Sequence, residues 1–349
     1  MSDGPIRFGV VGLNHSHIYG QVGALVAAGA DFAGYFAPEA ELMAAFARVF
    51  PDVPGVSDER AILEDPSIAV VTSAAIPSDR AALGLRAMRH GKDFLVDKPG
   101  MTSLAQLAEA RRVQAETGRI YSVFFSERFE SRATVRAGEL VRGGAIGQVV
   151  QIVGFGPHRT SLSSRPAWFF QRARSGGILC DIASHQVDQF LHFAGSETAE
   201  VVASTVANYK HPEHPELEDY GEIHLRARDT HGLARVDWYT PDGLSTWGDG
   251  RLFVLGTEGY LEIRKYCDLG GRTGGDHLFL VDGREMRRID CAQLELPFAS
   301  LFLDDVRHRT QTAMPQSHCF SACELALTAQ ARAERRGHLE SRGGAKDPA

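Results

Sequence analysis

GVVGLNHSH, residues Gly9–His17, decides the fold. It ends an apolar, β-branched run beginning at Ile6 that reads as a strand, and a helical pattern starts near Ile18. A strand that turns through glycine straight into a helix opens a βαβ unit. Such a turn leaves backbone N–H groups free to hold a phosphate. A dinucleotide fingerprint wants glycine at positions 12, 14 and 17, and this chain has Gly12, Asn14 and His17. Asn14 tolerates the positive φ of a tight turn. His17 fills the place where glycine usually lets helix and strand approach.

Outward from that turn the same alternation repeats. Phe32–Phe36, Ile68–Ser73, Phe94–Val96 and Ile120–Phe125 read as strands, and Ser57–Leu63, Asp79–His90 and Leu104–Thr117 read as helices between them. Ser103 is placed as an N-cap, while Gly91 and Gly118 sit where helices stop. Nearly continuous apolar strands separated by helices predict a parallel sheet covered on both faces. Ligands of such sheets lie beyond the carboxyl ends of the strands. The residues delivered there are Gly12, Leu13, Asn14 and His15 from the first strand, Ala37 from the second, Ile76 from the third, and Asp97 and Lys98 from the fourth. These are the expected cofactor-binding residues. Ala37 stands where an acid normally holds the ribose hydroxyls and Glu39 lies past a proline, so weak discrimination between NAD and NADP is expected.

From about Gly147 the pattern changes to strands with period-two alternation: Val149–Phe155, Glu200–Ala207, Glu222–Ala227, Leu233–Tyr239, Leu252–Leu255, Leu261–Ile263 and Leu278–Val281. These predict a mainly antiparallel sheet with a helix, Gly176–Phe190, on one face. Helices at about Phe298–Thr310 and Cys319–Glu334 can return to pack on the first half. The expected organisation is a nucleotide-binding domain over 1–126, a second α/β domain over 127–335 for substrate binding and oligomerisation, and a polar, disordered tail over 336–349.

SGGILCDIASHQVDQF, residues Ser175–Phe190, carries the chemistry. Asp181 and His185 are four apart, so one continuous helix puts them on a shared face. A carboxylate beside an imidazole fixes the ring tautomer and favours the charged form, which suits an acid or base near neutral pH. The bland alternative is a solvent-facing polar stripe. Asp188 follows one turn later. Val96-Asp97-Lys98-Pro99 presents a lysine at a strand end, whose bland reading is a surface ion pair.

Composition bounds the partners. The 349 residues exceed one ordinary core, and 44% hydrophobic with 23% charged residues describes a globular chain. Thirty-seven Lys and Arg against 44 Asp and Glu, a net charge of -7 with no basic run, argue against nucleic acid. The five cysteines are scattered without a C-x-x-C pair, and no metal centre is expected from them. MSDGPIRFGVV has no charged leader followed by an apolar stretch, and no apolar run reaches bilayer length. The expected compartment is the cytoplasm, with no membrane partner.

GVVGLNHSH, DKP and SGGILCDIASH, in that order, resemble the three signatures of the glucose–fructose oxidoreductase, inositol dehydrogenase and MocA family (Gfo/Idh/MocA). Further likenesses are Ser126-Glu-Arg128-Phe129, Gly143-Gly-Ala-Ile-Gly147 and Gly256-Thr-Glu-Gly-Tyr-Leu-Glu262, and together they span about Ile6 to Arg335. The resemblance implies a Rossmann domain followed by an open-faced sheet domain, with NAD- or NADP-dependent oxidation or reduction of sugars or polyols between them. By position, Lys98 is similar to the family's catalytic lysine, Asp181 to its substrate-binding carboxylate and His185 to its proton-transferring histidine. Arg128 and Asp188 are candidate substrate-binding residues. The departures are Asn14, His17, Ala37, and Asp97 where Glu is commoner.

Three functions compete. In an oxidoreductase, His185 takes the hydroxyl proton, Lys98 hydrogen-bonds the same oxygen and Asp181 positions His185 or binds a neighbouring hydroxyl. A non-catalytic dinucleotide or sugar sensor has the same fold. A metal-dependent hydrolase uses His15 and His17 with a carboxylate, but needs βα units throughout. A homodimer or homotetramer is expected, because an open-faced sheet leaves large side chains of strands such as Leu233–Tyr239 uncovered.

Overall fold

A computed structural model describes residues 4–337. The first sheet is parallel. Its strands are β1 (Arg7–Val11), β2 (Asp31–Phe36), β3 (Val70–Ser73), β4 (Asp93–Asp97) and β5 (Tyr121–Phe124), in the order β2-β1-β3-β4-β5. A single parallel bridge, Tyr35 to Gly55, extends the β2 edge. With that bridge counted as a strand, the order is the 3-2-1-4-5-6 of a Rossmann sheet. The crossovers carry α1 (His17–Ala27), α2 (Ala40–Val49), α3 (Arg60–Leu63), α4 (Pro77–Arg89) and α5 (Leu104–Thr117). Ser103 caps α5 by accepting the Gln106 amide at 3.2 Å, and Gly118 ends that helix in the left-handed region at φ 63.

After α6 (Ser126–Phe129) and α7 (Arg132–Arg142) the chain enters a sheet of nine strands. They are β6 (Val149–Pro157), β7 (Glu200–Ala207), β8 (Tyr220–Ala227), β9 (Thr230–Asp237), β10 (Arg251–Gly256), β11 (Gly259–Arg264), β12 (His277–Asp282), β13 (Met286–Ile289) and β14 (Glu334–Arg336). Most neighbours are antiparallel; β6 with β9 and β14 with β7 are parallel. The edge strands β13 and β14, short and polar, have no counterpart in the sequence reading. Arg336, expected in a tail, pairs with Ala207, and the rest of the expected tail beyond 337 lies outside the described residues.

The helix expected over Gly176–Phe190 is two helices. After α8 (Arg172–Ser175), α9 (Ile178–Asp181) ends at Ile182 and α10 (Ala183–Ala194) begins. The His185 amide bonds the Ile182 carbonyl at 3.1 Å instead of reaching back to Asp181, so the chain tightens at the join and the two residues belong to different helices. Residues Ala183–Leu191 of α10 are buried on all sides, between the sheet and α12. The last helices, α11 (Phe298–His308) and α12 (Gln316–Arg332), do return to the first half. Gln316 clamps β5, accepting the Tyr121 amide at 2.9 Å and donating to its carbonyl at 2.8 Å. Arg309 pairs with Asp93 at the foot of β4. Among the described residues no helix is long and apolar enough to cross a membrane.

Candidate active site

The carboxyl ends of β1, β4 and β5 meet the start of α10 around a cleft of about 690 Å³, lined by His15, Lys98, His158, Asp181 and His185 among others. Gly12 makes the first turn at φ +87, and a Cβ there would come 2.5 Å from the Ala75 Cβ, so neither backbone nor space admits a side chain. The turn is tied to its neighbours by Gly12 N–H to the Phe36 carbonyl (2.8 Å) and Ala74 N–H to the Gly12 carbonyl (3.1 Å). Leu13 and Ala37 are buried, and the Ala37 amide points at the Met43 sulfur. The side chain that reaches the turn from the second strand is Glu39. It accepts from Asn14 Nδ2 at 2.8 Å through Oε1, while its buried Oε2 has no partner. Ile76 stands at the N-terminus of α4.

Arg80, absent from the sequence reading, organises the end of β4. Fully buried on α4, it donates to the carbonyls of Ala75 (2.7 Å), Asp97 (2.9 Å), Lys98 (2.5 Å) and Pro99 (3.1 Å), and to Asp97 Oδ2 at 3.1 Å. A guanidinium that satisfies four carbonyls fixes the direction in which Lys98 leaves the strand. Its only sequence signal is an arginine on the apolar face of a helix. Asp97 also holds His17, Nδ1 to Oδ1 at 2.9 Å, so the imidazole in the third glycine position is anchored to the strand end. His15 accepts the His17 amide on Nδ1 at 3.2 Å; burial, with His17 beside it, keeps its pKa well below that of a free imidazole. Nδ1 being the acceptor, the proton of neutral His15 sits on Nε2.

His15, His17 and Asp97 bring three potential metal ligands within 4.8 Å of one another. Each is satisfied internally: the His15 lone pair by an amide, the His17 proton by the carboxylate, and the Asp97 charge by Arg80. The second sheet is also incompatible with the (β/α)₈ barrel that the hydrolase reading required.

Asp181 pairs with Lys98, not with His185: Lys98 Nζ donates to Asp181 Oδ1 at 2.8 Å. Lys98 is 4% and Asp181 20% exposed. Burial alone would raise the Asp181 pKa, but the Lys98 ammonium overrides it and holds the carboxyl down at about 2. His185 lines the same cleft with no partner for its buried Nδ1. The sequence reading expected a carboxylate to favour its charged form; instead burial dominates and lowers its pKa to about 3. The imidazole is a neutral acceptor at ordinary pH.

Arg128 and Asp188, expected at the substrate, face each other instead. Arg128 donates to both Asp188 oxygens at 2.7 Å, and His318 Nε2 lies 2.8 Å from Asp188 Oδ1. With Asp188 fully buried and its oxygens taken, the pair braces α6, α10 and α12 and does not open on the cleft. The same cleft is lined by a second buried pair that the sequence did not disclose: Lys265 Nζ donates to Glu127 Oε2 at 2.6 Å and to Gln189 Oε1 at 2.7 Å, and Gln186 Nε2 donates to Glu127 at 2.9 Å. Glu127 stood inside the quoted Ser126–Phe129 stretch. Lys265, a single lysine after an alternating strand, gave no signal. His158 is also new. Its Nδ1 lies 3.1 Å from the Gly156 carbonyl, which can only accept, so the proton is on Nδ1 and Nε2 is left as an acceptor. Burial pushes its pKa down to about 4.

Comparison with known proteins agrees with this architecture. Residues 6–125 match the model of the oxidoreductase family with an NAD-binding Rossmann fold, Gfo/Idh/MocA, and residues 134–262 match the Gfo/Idh/MocA C-terminal domain. Scyllo-inositol 2-dehydrogenase (NAD(+)) of Bacillus subtilis (strain 168) is 30% identical over 211 residues, which cover 59% of this chain and 58% of that protein. A crystal structure from Erwinia carotovora atroseptica SCRI1043, assigned provisionally as an oxidoreductase, is 48% identical with a TM-score of 0.92, covering 95% of this chain and 99% of that one. Levoglucosan dehydrogenase in complex with NADH and levoglucosan has a TM-score of 0.79 at 18% identity, covering 94% and 97%, a likeness of fold. Two domain models in the expected order, over most of the chain, make it a member of the Gfo/Idh/MocA oxidoreductase family.

Proposed function

We propose that the chain is an NAD(P)-dependent oxidoreductase that interconverts a carbinol and a carbonyl on a sugar, polyol or related small molecule. The observation that carries this reading is the Lys98–Asp181 pair, which joins a strand end of the nucleotide-binding sheet to the end of α9 in the second domain, with a neutral His185 lining the same cleft. The residues present fit a dinucleotide. Gly12 holds the positive-φ turn at the end of the first strand that a side chain could not adopt, and the unpartnered buried Glu39 Oε2 is an acceptor suited to ribose hydroxyls. His15 Nε2–H is a donor suited to the pyrophosphate. When bound, the nicotinamide supplies the two-electron exchange, and the protein supplies binding, orientation and proton handling.

In that division of labour Lys98 donates a hydrogen bond to the reacting oxygen, stabilising the negative charge that grows on it as the hydroxyl proton leaves. Asp181 holds the Lys98 ammonium in place and can accept from an adjacent hydroxyl with its second oxygen. His185, neutral and lining the cleft, accepts the hydroxyl proton in the direction of oxidation. What the curated relatives act on, scyllo-inositol and levoglucosan, is consistent with a polyhydroxylated ring as substrate. The sensor reading requires no proton acceptor beside the ammonium and is the weaker fit. Incubation with NAD or NADP and a panel of sugars and polyols, following formation of the reduced nicotinamide, tests the proposal. Tight binding without turnover across the panel would favour the sensor.

A further inference from the structure

The cleft continues past the Lys98–Asp181 pair to an aromatic wall. Trp247 lines it while 45% exposed, an unusual state for the largest apolar side chain. Its indole packs against His158 and Tyr266, each with ring centroids 4.5 Å away. The backbone beneath is fixed: Arg159 N–H donates to the Trp247 carbonyl at 2.7 Å, and His158 bridges Gly248. The Arg159 guanidinium ties the preceding loop down through the carbonyls of Pro241 (2.9 Å) and Leu244 (2.7 Å). An aromatic face that is wet, concave-sited and immobilised in advance is a stacking platform, because little ordering remains to be done on binding.

His158 lines the same cleft as Lys98, Asp181 and His185 and makes ring contacts with both Trp247 and Trp238. The cleft, about 690 Å³, has the size of a site for a drug-sized ligand and holds more than one sugar ring. Resting on the oxidoreductase reading above, we propose that the substrate is a glycoside: one sugar ring at Lys98, Asp181 and His185, and a second ring, sugar or aromatic aglycone, stacked on Trp247. A hydroxyl near the glycosidic link donates to His158 Nε2. Arg159 donates to carbonyls of the loop before Trp247 and Arg165 to the Thr160 carbonyl, and Arg165 also lies over Phe169 and Trp238.

The test compares glucose, galactose, mannose and xylose with their phenyl glycosides and with the disaccharides cellobiose and maltose. Parent enzyme should show kcat/KM at least ~10-fold higher for two-ring compounds, and Trp247→Ala should lower that ratio ~10-fold or more while Trp247→Phe keeps most of it. The phenyl and disaccharide arms separate an aromatic from a sugar second ring. A second readout is independent of turnover: phenyl glycosides should perturb tryptophan fluorescence of the parent in the presence of reduced cofactor, and not that of Trp247→Phe. If glycosides bind at Trp247 but nothing in the panel is oxidised, the platform stands and the redox reading falls. If single sugars turn over as well as their glycosides and Trp247→Ala leaves the ratio untouched, or if no glycoside binds, the proposal is overturned.

Discussion

Lys98 and Asp181, 83 positions apart in sequence, meet at 2.8 Å across the junction of the two domains. One partner leaves β4 under the control of Arg80, and the other ends α9 just before the chain tightens at Ile182. Removing either leaves a poorly hydrated charge alone. Asp181→Asn should cost up to about 3 kcal/mol of stability and lower kcat/KM. Lys98→Met should lower kcat and weaken substrate binding together, the outcome expected of an ammonium that contacts the reacting oxygen in ground and transition state. Chemical denaturation and steady-state kinetics of both variants check this, and a parent-like pair of variants would remove the junction from the mechanism.

Glu39 offers a different basis for cofactor choice. The sequence suggested weak discrimination because Ala37 offers no carboxylate, yet the free Oε2 of Glu39 lies beside the glycine turn through Asn14. A carboxylate there accepts from ribose hydroxyls and repels a 2′-phosphate. NAD should bind more tightly than NADP, and Glu39→Gln should narrow the gap by ~10-fold or more, measured by calorimetric titration. Equal affinities in the parent would return the selection to another residue.

How much of this was legible beforehand follows burial and sequence distance. Strands β1 to β5 were readable because a strand buried on both faces is apolar throughout. α2 escaped notice because its start, Glu39 after Pro38, offers no capping side chain. The edge strand β13, MRRI, is half polar because one side of it meets water. Asp181 and His185 could be picked out as a spaced pair, but their real partners could not. The Lys98, Arg80 and Lys265 contacts span the fold, and no local period encodes them. The turn at Ile182 puts on two helices a pair that helix arithmetic places on one, although both line the cleft.

Stability should fall in mild acid. His158, His185 and His192 have pKa values lowered by burial to about 4, 3 and 3. Free imidazole titrates near ~6.5. The folded values lie below the unfolded one, so the unfolded chain binds more protons in between; stability is complete above about pH 6.5 and is lost as pH falls. At about pH 5 each histidine can cost about 2 kcal/mol. Urea unfolding at about pH 7 and about pH 5 should show the loss, before the ion-paired carboxylates begin to protonate. Stability that is level across this interval would mean the three rings are hydrated.

The outer face of the nine-stranded sheet should be an interface between copies of the chain. Phe155 and Phe253 lie there with Arg235 over Phe155, beside Leu255 and Tyr260 at 43% and 42% exposure. Leu255→Asp with Tyr260→Asp should dissociate the assembly. Light scattering should give a dimer or tetramer for the parent; a parent monomer would leave this face to another use.

Single-turnover stopped-flow with His185→Asn tests the central claim most directly. The amide keeps the size of the imidazole and some hydrogen bonding but cannot take a proton at any working pH. If His185 accepts the hydroxyl proton, the transient rate of nicotinamide reduction should drop ~10²–10⁴-fold, while NAD affinity by titration stays near the parent value, because His185 lies on α10 and not on the glycine turn. A His185→Asn protein that reduces the cofactor at the parent rate would contradict the account and make α10 a structural helix.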